Sequence, residues 1–236
     1  MKAAALIMAG GSGERFAADD AQGDNRAPKQ LAPLRGRPMI AWSTDVFANA
    51  ERVTSFVIAT APELETSMRD ALSPAAAQKL YAFAAGGATR QESVFNALRA
   101  LPDDVTHVLI HDAARPCASS ELIDRMLDAV ALHDAVVPAV AATDTLVRDY
   151  QGRVDAVIDR VHVAGVQTPQ AFRLDLILRA HREARARGFQ SSDDGSLVLA
   201  LGEPVFTVPG ERTNIKVTYR DDVAMAEAIL RNGART

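Results

Sequence analysis

The sequence predicts an α/β protein with a doubly wound, mostly parallel (mixed) sheet. Three observations carry that expectation. Short apolar runs alternate with stretches of helical periodicity along most of the chain. The first run breaks directly into glycines, as a strand does when it turns into a ligand-binding loop. The length of 236 residues suits one α/β domain spanning 1–236 and can bury a sizeable core.

The elements follow in chain order. Lys2 to Ala9 (KAAALIMA) reads as a short buried strand running into Gly10-Gly11-Ser12-Gly13-Glu14-Arg15. The polar, acidic stretch from Ala17 to Ala27 reads as a mobile loop, and Pro28-Lys29-Gln30-Leu31 follows it. Pro38 to Ala48 reads as a helix with proline in its first turn. Val53 to Ala59, Thr106 to Ile110 and Ala135 to Val140 read as strands covered on both faces, with Leu80 to Ala84 a weaker candidate. Arg90 to Leu101 and Ser119 to His133 carry apolar residues at three- and four-residue spacing. Ser119 or Ser120 caps the second, with Glu121 in its first turn. The rhythm breaks over residues 141–160. Thr143 to Arg148 and Arg153 to Asp159 read as extended around a Tyr150-Gln151-Gly152 turn, which predicts a protruding β-hairpin arm. Its open edges invite pairing, and a partner subunit is the simplest cover, so a homodimer with two composite sites is expected. A helix from Arg173 to Arg187, a strand from Val205 to Val208 and a helix from about Arg220 to Arg231 complete the chain.

Composition excludes several functions. A net charge of −4 gives no basic surface for nucleic acid. No apolar run approaches the ~18 residues of a membrane span, and the apolar start lacks a cleavage region, so neither a membrane nor a secreted location is expected. The single cysteine, Cys117, suits a reducing cytoplasm and reads as a small semi-buried thiol. The five histidines have no metal-ligand pairing, and His107, His133 and His181 read as packing or surface residues.

Several clusters could carry chemistry. Backbone N–H groups of a strand–glycine turn can hold phosphate oxygens, and Arg15 and Lys29 supply positive charge for a triphosphate. The loop is no P-loop, since no lysine follows Gly13, and no dinucleotide fingerprint, since Phe16 stands where a third glycine belongs. Strand, glycine loop, arginine and Pro-Lys-Gln together resemble nucleotidyltransferases that join a nucleoside triphosphate to a sugar or polyol phosphate. Asp112, within His111-Asp112-Ala113-Ala114-Arg115-Pro116, ends a predicted strand. A carboxylate there can hold Mg²⁺ alongside waters and substrate phosphates; alternatively it caps a turn and pairs with Arg115. Gly86-Gly87 before the helix that contains Arg90 and Ser93 suits contacts to a base or ribose, or a plain strand-to-helix turn.

With Asp159-Arg160, Thr168-Pro169-Gln170 and Asn214-Ile215-Lys216-Val217-Thr218, these clusters run in an order that resembles the 2-C-methyl-D-erythritol 4-phosphate cytidylyltransferase family, from about residue 3 to 231. The resemblance implies a Rossmann-like nucleotidyltransferase fold and transfer of CMP from CTP to methylerythritol phosphate in isoprenoid precursor synthesis. It implies that Gly10, Gly11, Ser12 and Gly13 wrap the CTP phosphates, and that Ala9, Gly86, Gly87, Ser93, Asp112 and Ala113 complete the nucleotide site. Arg15 and Lys29 would stabilise charge at the α-phosphorus, and Asp112 would help hold Mg²⁺. Arg160 and Lys216 would grip the acceptor phosphate with Arg115, Thr145, Thr168 and Ser192. Thr145 and Arg160 would reach the partner's site. The substrate phosphate is itself the nucleophile, so no side-chain base is needed.

Two departures stand out. The segment between Arg15 and Lys29 is longer than usual for the family and carries Asp19, Asp20 and Asp24, so it is expected to swing outward or be disordered. The family's Thr-Asp-Glu-Ala-Ser appears as Ser192-Asp193-Asp194-Gly195-Ser196, where a nucleotide or substrate contact should persist in altered form. A ribitol 5-phosphate cytidylyltransferase shares the nucleotide half, though such enzymes more often carry Asp-Ala-Val-Arg-Pro. Sugar-1-phosphate nucleotidyltransferases usually open with Gly-Thr-Arg-Leu. A catalytically silent nucleotide-binding module would be expected to have lost one of Arg15, Lys29, Asp112, Arg160 or Lys216, all of which are present.

Overall fold

A computed structural model describes residues 1–11, 13–18 and 28–233. The elements begin with β1 (Ala3–Met8), α1 (Glu14–Ala18) and a two-rung ladder of β2 (Pro33–Leu34) and β3 (Arg37–Pro38). They continue through α2 (Met39–Asn49), β4 (Val53–Thr60), α3 (Glu65–Asp70), α4 (Pro74–Lys79), β5 (Leu80–Ala85) and α5 (Arg90–Arg99). Next come β6 (His107–Asp112), α6 (Ser120–Val130), β7 (Ala135–Ala141), β8 (Leu146–Tyr150), β9 (Arg153–Ile158), β10 (Ala164–Val166) and β11 (Gln170–Arg173). The chain closes with α7 (Leu174–Ala186), α8 (Asp194–Ala200), β12 (Phe206–Pro209) and α9 (Asp221–Gly233).

The main sheet runs β10-β7-β11-β6-β1-β4-β5, with β12 added beside β7. Strands β5, β4, β1 and β6 are mutually parallel, and β12 is parallel to β7. Strands β10 and β11 pair antiparallel to their neighbours, which makes the sheet mixed. The chain winds outward from β1 through β4 to β5, then crosses back to place β6 on the other side of β1. Ligands bind at such a reversal, outside the carboxyl ends of the strands. There Met8 and Asp112 face each other across the β1–β6 ladder.

Side-chain alternation divides the interior into two layers. Ala3, Ala5 and Ile7 of β1 face one way, with Ile40 and Phe47 of α2 and Leu122, Ile123 and Met126 of α6. Ala4, Leu6 and Met8 face the other, against Val94 and Leu98 of α5 and Leu176 and Ile177 of α7. A third cluster seats Val217 and Ala226 against Phe16, Leu34 and Met39, so the C-terminal segment packs beside the glycine loop. Helix starts are capped where the sequence places hydroxyls and acids. Ser119, rather than Ser120, caps α6; Thr89 caps α5 and Asp193 caps α8. Each such cap is worth about 1 kcal/mol.

The hairpin forms as expected, although its first strand starts at Leu146 rather than Thr143. Gln151 and Gly152 take φ values of 52° and 80°, the pair of positive dihedrals that a two-residue type I′ turn requires. Among the described residues β8 and β9 pair only with each other. Helices α3, α4 and α8 and strands β10 and β11 lie where the sequence reading has no element. The expected loop from Ala17 to Ala27 falls almost wholly outside the described residues; Ala17 and Ala18 end α1.

Candidate functional site

The carboxyl ends of β1 and β6 open into a cleft of about 590 Å³. Its walls come from five segments distant in sequence: Gly10, Gly11, Gly13 and Arg15; Lys29 and Gln30; Gly87 to Arg90 with Ser93; Asp112; and Lys216 with Thr218. Four cations, Arg15, Lys29, Arg90 and Lys216, line it against two acids, Glu14 and Asp112. A nearly neutral to acidic chain thus concentrates positive charge in one place, which suits a polyphosphate.

The glycine loop is shaped by need. Gly13 has φ +66°, and a Cβ there would lie 3.3 Å from the Lys29 Cβ, so a side chain would meet both backbone strain and crowding. Gln30 Nε2 donates to the Gly11 carbonyl at 3.1 Å and ties the loop to the segment carrying Lys29. Lys29 Nζ donates to the Val217 carbonyl at 3.0 Å. Burial pulls the Lys29 pKa down, and the Lys216 charge adds to that against the opposing pull of Asp112. Ser12 lies outside the described residues.

Asp112 sits on the cleft floor. Its carboxylate accepts from Lys216 Nζ at 2.7 Å and Arg90 Nε at 3.3 Å. Burial opposes its ionisation, but Arg90 and Lys216 outweigh that and hold the carboxyl well below the usual range. Arg115 is not its ion-pair partner: Arg115 Nη1 donates to the Asn214 carbonyl at 2.8 Å and lies outside the cleft lining. Beneath the floor, the Asp112 N–H donates to Thr168 Oγ1 at 3.0 Å, and that hydroxyl lies 3.2 Å from His111 Nδ1. His111 Nε2 lies 3.1 Å from the Arg115 carbonyl. Burial pushes the His111 pKa down to about 4. With Nε2 protonated, the neutral ring satisfies both neighbours.

The far wall is built at the start of α5. The Gly86 N–H donates to the Thr60 carbonyl at 2.9 Å, and the Gly87 N–H to Ser93 Oγ at 2.9 Å. A Cβ on Gly87 would fall 2.4 Å from Glu92 Cγ, so the wall there stays flat. Ala9 and Ala113 are buried in the layer that α2 and α6 cover, their N–H groups donating to the Ala59 and Met8 carbonyls.

Other expected residues lie elsewhere. Ser192 is exposed beside the cap of α8, and Thr145 and Arg160 are exposed at the base of the hairpin, where Arg160 Nη1 donates to the Thr143 carbonyl. None of the three lines this cleft. Cys117 is buried, and burial pushes its thiol up to about 12, which makes it inert at neutral pH. His181 is not a mere packing residue: its Nε2 lies 3.1 Å from Asp194 Oδ1. Arg90 is the main cleft residue to which the sequence reading assigns no role. Its position just after the Thr89 cap was a usable signal, since a basic residue opening a helix needs an anionic partner.

Among the described residues no group of three His, Cys, Asp or Glu side chains could cage a metal. Asp112 alone on the cleft floor nonetheless fits Mg²⁺, which takes one or two carboxylates and completes its shell with waters and substrate phosphates. No described helix is long and apolar enough to cross a membrane.

Comparison with known proteins identifies the family. The family model for 2-C-methyl-D-erythritol 4-phosphate cytidylyltransferase matches residues 3–232. The enzyme of that name from Prochlorococcus marinus is 41% identical over 226 residues, covering 95% of this chain and 96% of the relative. The one from Geobacillus kaustophilus is 39% identical, covering 96% of each. The crystal structure of the Thermus thermophilus enzyme superposes with a TM-score of 0.77 at 32% identity, over 96% of this chain and 98% of that one. A cationic cleft at the sheet reversal and a match along nearly the whole length lead to one conclusion: the chain belongs to the 2-C-methyl-D-erythritol 4-phosphate cytidylyltransferase family.

Proposed function

We propose that this protein transfers CMP from CTP to 2-C-methyl-D-erythritol 4-phosphate, releasing pyrophosphate. The observation that carries the proposal is the cleft with four cations, open at the glycine loop, in a chain of this family. An oxygen of the acceptor phosphate attacks the α-phosphorus, and the bond from that phosphorus to the bridging oxygen of pyrophosphate breaks. The acceptor phosphate is already ionised, so catalysis reduces to positioning and charge stabilisation.

Gly10 to Gly13 wrap the β- and γ-phosphates with backbone N–H groups. Arg15 and Lys29 balance charge on the α-phosphate and the leaving pyrophosphate. Gly87 and Ser93 form the flat seat for base and ribose, supported by the backbone of Ala9, Gly86 and Ala113. Asp112 would hold Mg²⁺ beside the triphosphate, and the ion, when bound, would supply further neutralisation of phosphate oxygens. Lys216, whose Nζ lies 2.7 Å from Asp112, grips the acceptor phosphate with Arg160 and Thr145 from the partner's arm. Arg115 and Thr168 support the acceptor side through Asn214 and the Asp112 backbone, and Ser192 borders it.

The protein acts as a cytoplasmic homodimer. An isolated two-stranded hairpin is marginal in water, and Val154, Val157 and Val161 are 60%, 69% and 75% exposed on or next to it. A second copy covers these side chains and brings Arg160 to the neighbouring cleft. The test is pyrophosphate release from CTP and Mg²⁺ with methylerythritol phosphate or ribitol 5-phosphate as acceptor. Release with the first alone is expected; release with ribitol 5-phosphate alone, or with neither, overturns the assignment.

A further inference from the structure

Behind the cleft lies a buried polar relay that the reaction as described does not use. Asp194, at the start of α8, is 1% exposed. Its Oδ2 accepts from Arg90 Nη1 at 2.7 Å, while His181 Nε2 on α7 approaches its Oδ1 at 3.1 Å. His181 is itself buried and stacks on Phe95, with ring centroids 6.1 Å apart. The backbone around Asp194 is pinned as well. Asp193 accepts from the Ser196 N–H and from Gln170 Nε2, and Gln170 Oε1 accepts from the Gly195 N–H at 3.0 Å. Asp194 does not line the cleft, but Arg90 does, and the other side of the same guanidinium meets Asp112.

A wholly buried carboxylate is poor value as a stabilising device, because desolvation offsets most of the attraction and apolar packing does as well. Its effect on Arg90 is more specific. A free arginine gives up rotamer freedom when a ligand fixes it, and one held at both ends is already preorganised. We propose that Asp194 is a positioning residue for cytidylyl transfer: held by His181, it anchors Arg90 from behind, so that the guanidinium fixes the Asp112 carboxylate across the cleft floor. This inference rests on the function proposed above.

A double-mutant cycle tests it. Asp194→Asn and Arg90→Met should each lower kcat/KM about tenfold or more, and the double variant should fall no lower than Arg90→Met alone. CTP affinity, measured by calorimetry without acceptor, should show the same non-additivity. His181→Phe keeps the stack on Phe95 but removes the N–H, and should reproduce the Asp194→Asn loss; His181→Gln returns a donor and should recover most of it. Losses that multiply in the double variant, or His181→Phe at wild-type activity, would overturn the proposal. Should Asp194→Asn lack a cooperative melt, the two His181 variants decide. Should the wild type turn over no acceptor, the cytidylyl-transfer reading fails separately, and the cycle is read on CTP affinity, where the same pattern is required.

Discussion

The neutral, buried His111 makes stability depend on pH in a window where few other groups titrate. In water the ring takes up a proton below about pH 6.5; in the folded protein it does so only near pH 4. Between these values the unfolded chain binds the extra proton, so falling pH drives unfolding. The stabilisation is fully present above pH 6.5 and is lost as pH approaches 4. Moving an imidazole from 6.5 to about 4 corresponds to about 3 kcal/mol, at about 1.4 kcal/mol per unit. The ring is fully buried, so solvent screening takes little from this. For a chain of this length that is a fall of about 6–12 °C in Tm. The assay is a series of thermal melts from pH 7.5 to 4.0 on wild type and His111→Gln, which cannot protonate. The wild-type curve should fall more steeply by about this amount, with the extra slope confined to pH 6.5–4. Parallel curves would refute the reasoning, because they would mean that His111 is protonated in the fold or exposed to water.

Other consequences are as direct. Asp112→Asn should lower kcat/KM by about 10²–10³ while metal-free CTP binds no more weakly than to wild type, since a negative charge leaves a cleft that accepts a polyanion; calorimetry with steady-state kinetics checks both halves. Asp112 and Asp194 are both held ionised below their ordinary range, so acid should remove a further increment of stability below about pH 4, separable from the His111 step once the melts are extended below pH 4. Val157→Asp on the exposed arm should give monomers by sedimentation at micromolar concentration and cut activity at least tenfold, and an active monomer would remove the arm from the site.

What could be read in advance divides by the range of the interactions. Strands β1, β4, β6 and β7 are continuous apolar runs because helices cover both faces, and such runs are visible in a few residues. The turn at Gln151-Gly152 and the Ser119 cap are likewise local chemistry. Strands β10 and β11 span three and four residues and exist because β7 and β6 offer open edges, which no local pattern announces. Helix α8 was hidden because Ser192-Asp193-Asp194 reads as a polar cluster, while in the fold Asp193 is its cap. The same contrast holds in the site. Gly10 to Gly13, Lys29, Asp112 and Lys216 carry residue types whose chemistry is recognisable in isolation. The link from His181 through Asp194 to Arg90 joins residues up to 104 positions apart, each unremarkable alone.

The central claim is that an oxygen of the acceptor phosphate becomes the bridge to the α-phosphorus of CTP. Methylerythritol phosphate labelled with ¹⁸O on its phosphate, incubated with CTP, Mg²⁺ and the protein, tests this by ³¹P NMR and mass spectrometry. The account predicts that all the label stays in a cytidine diphosphate diester, with one ¹⁸O in the bridge and none in the pyrophosphate. Label appearing in pyrophosphate, or free CMP in place of the diester, would contradict it.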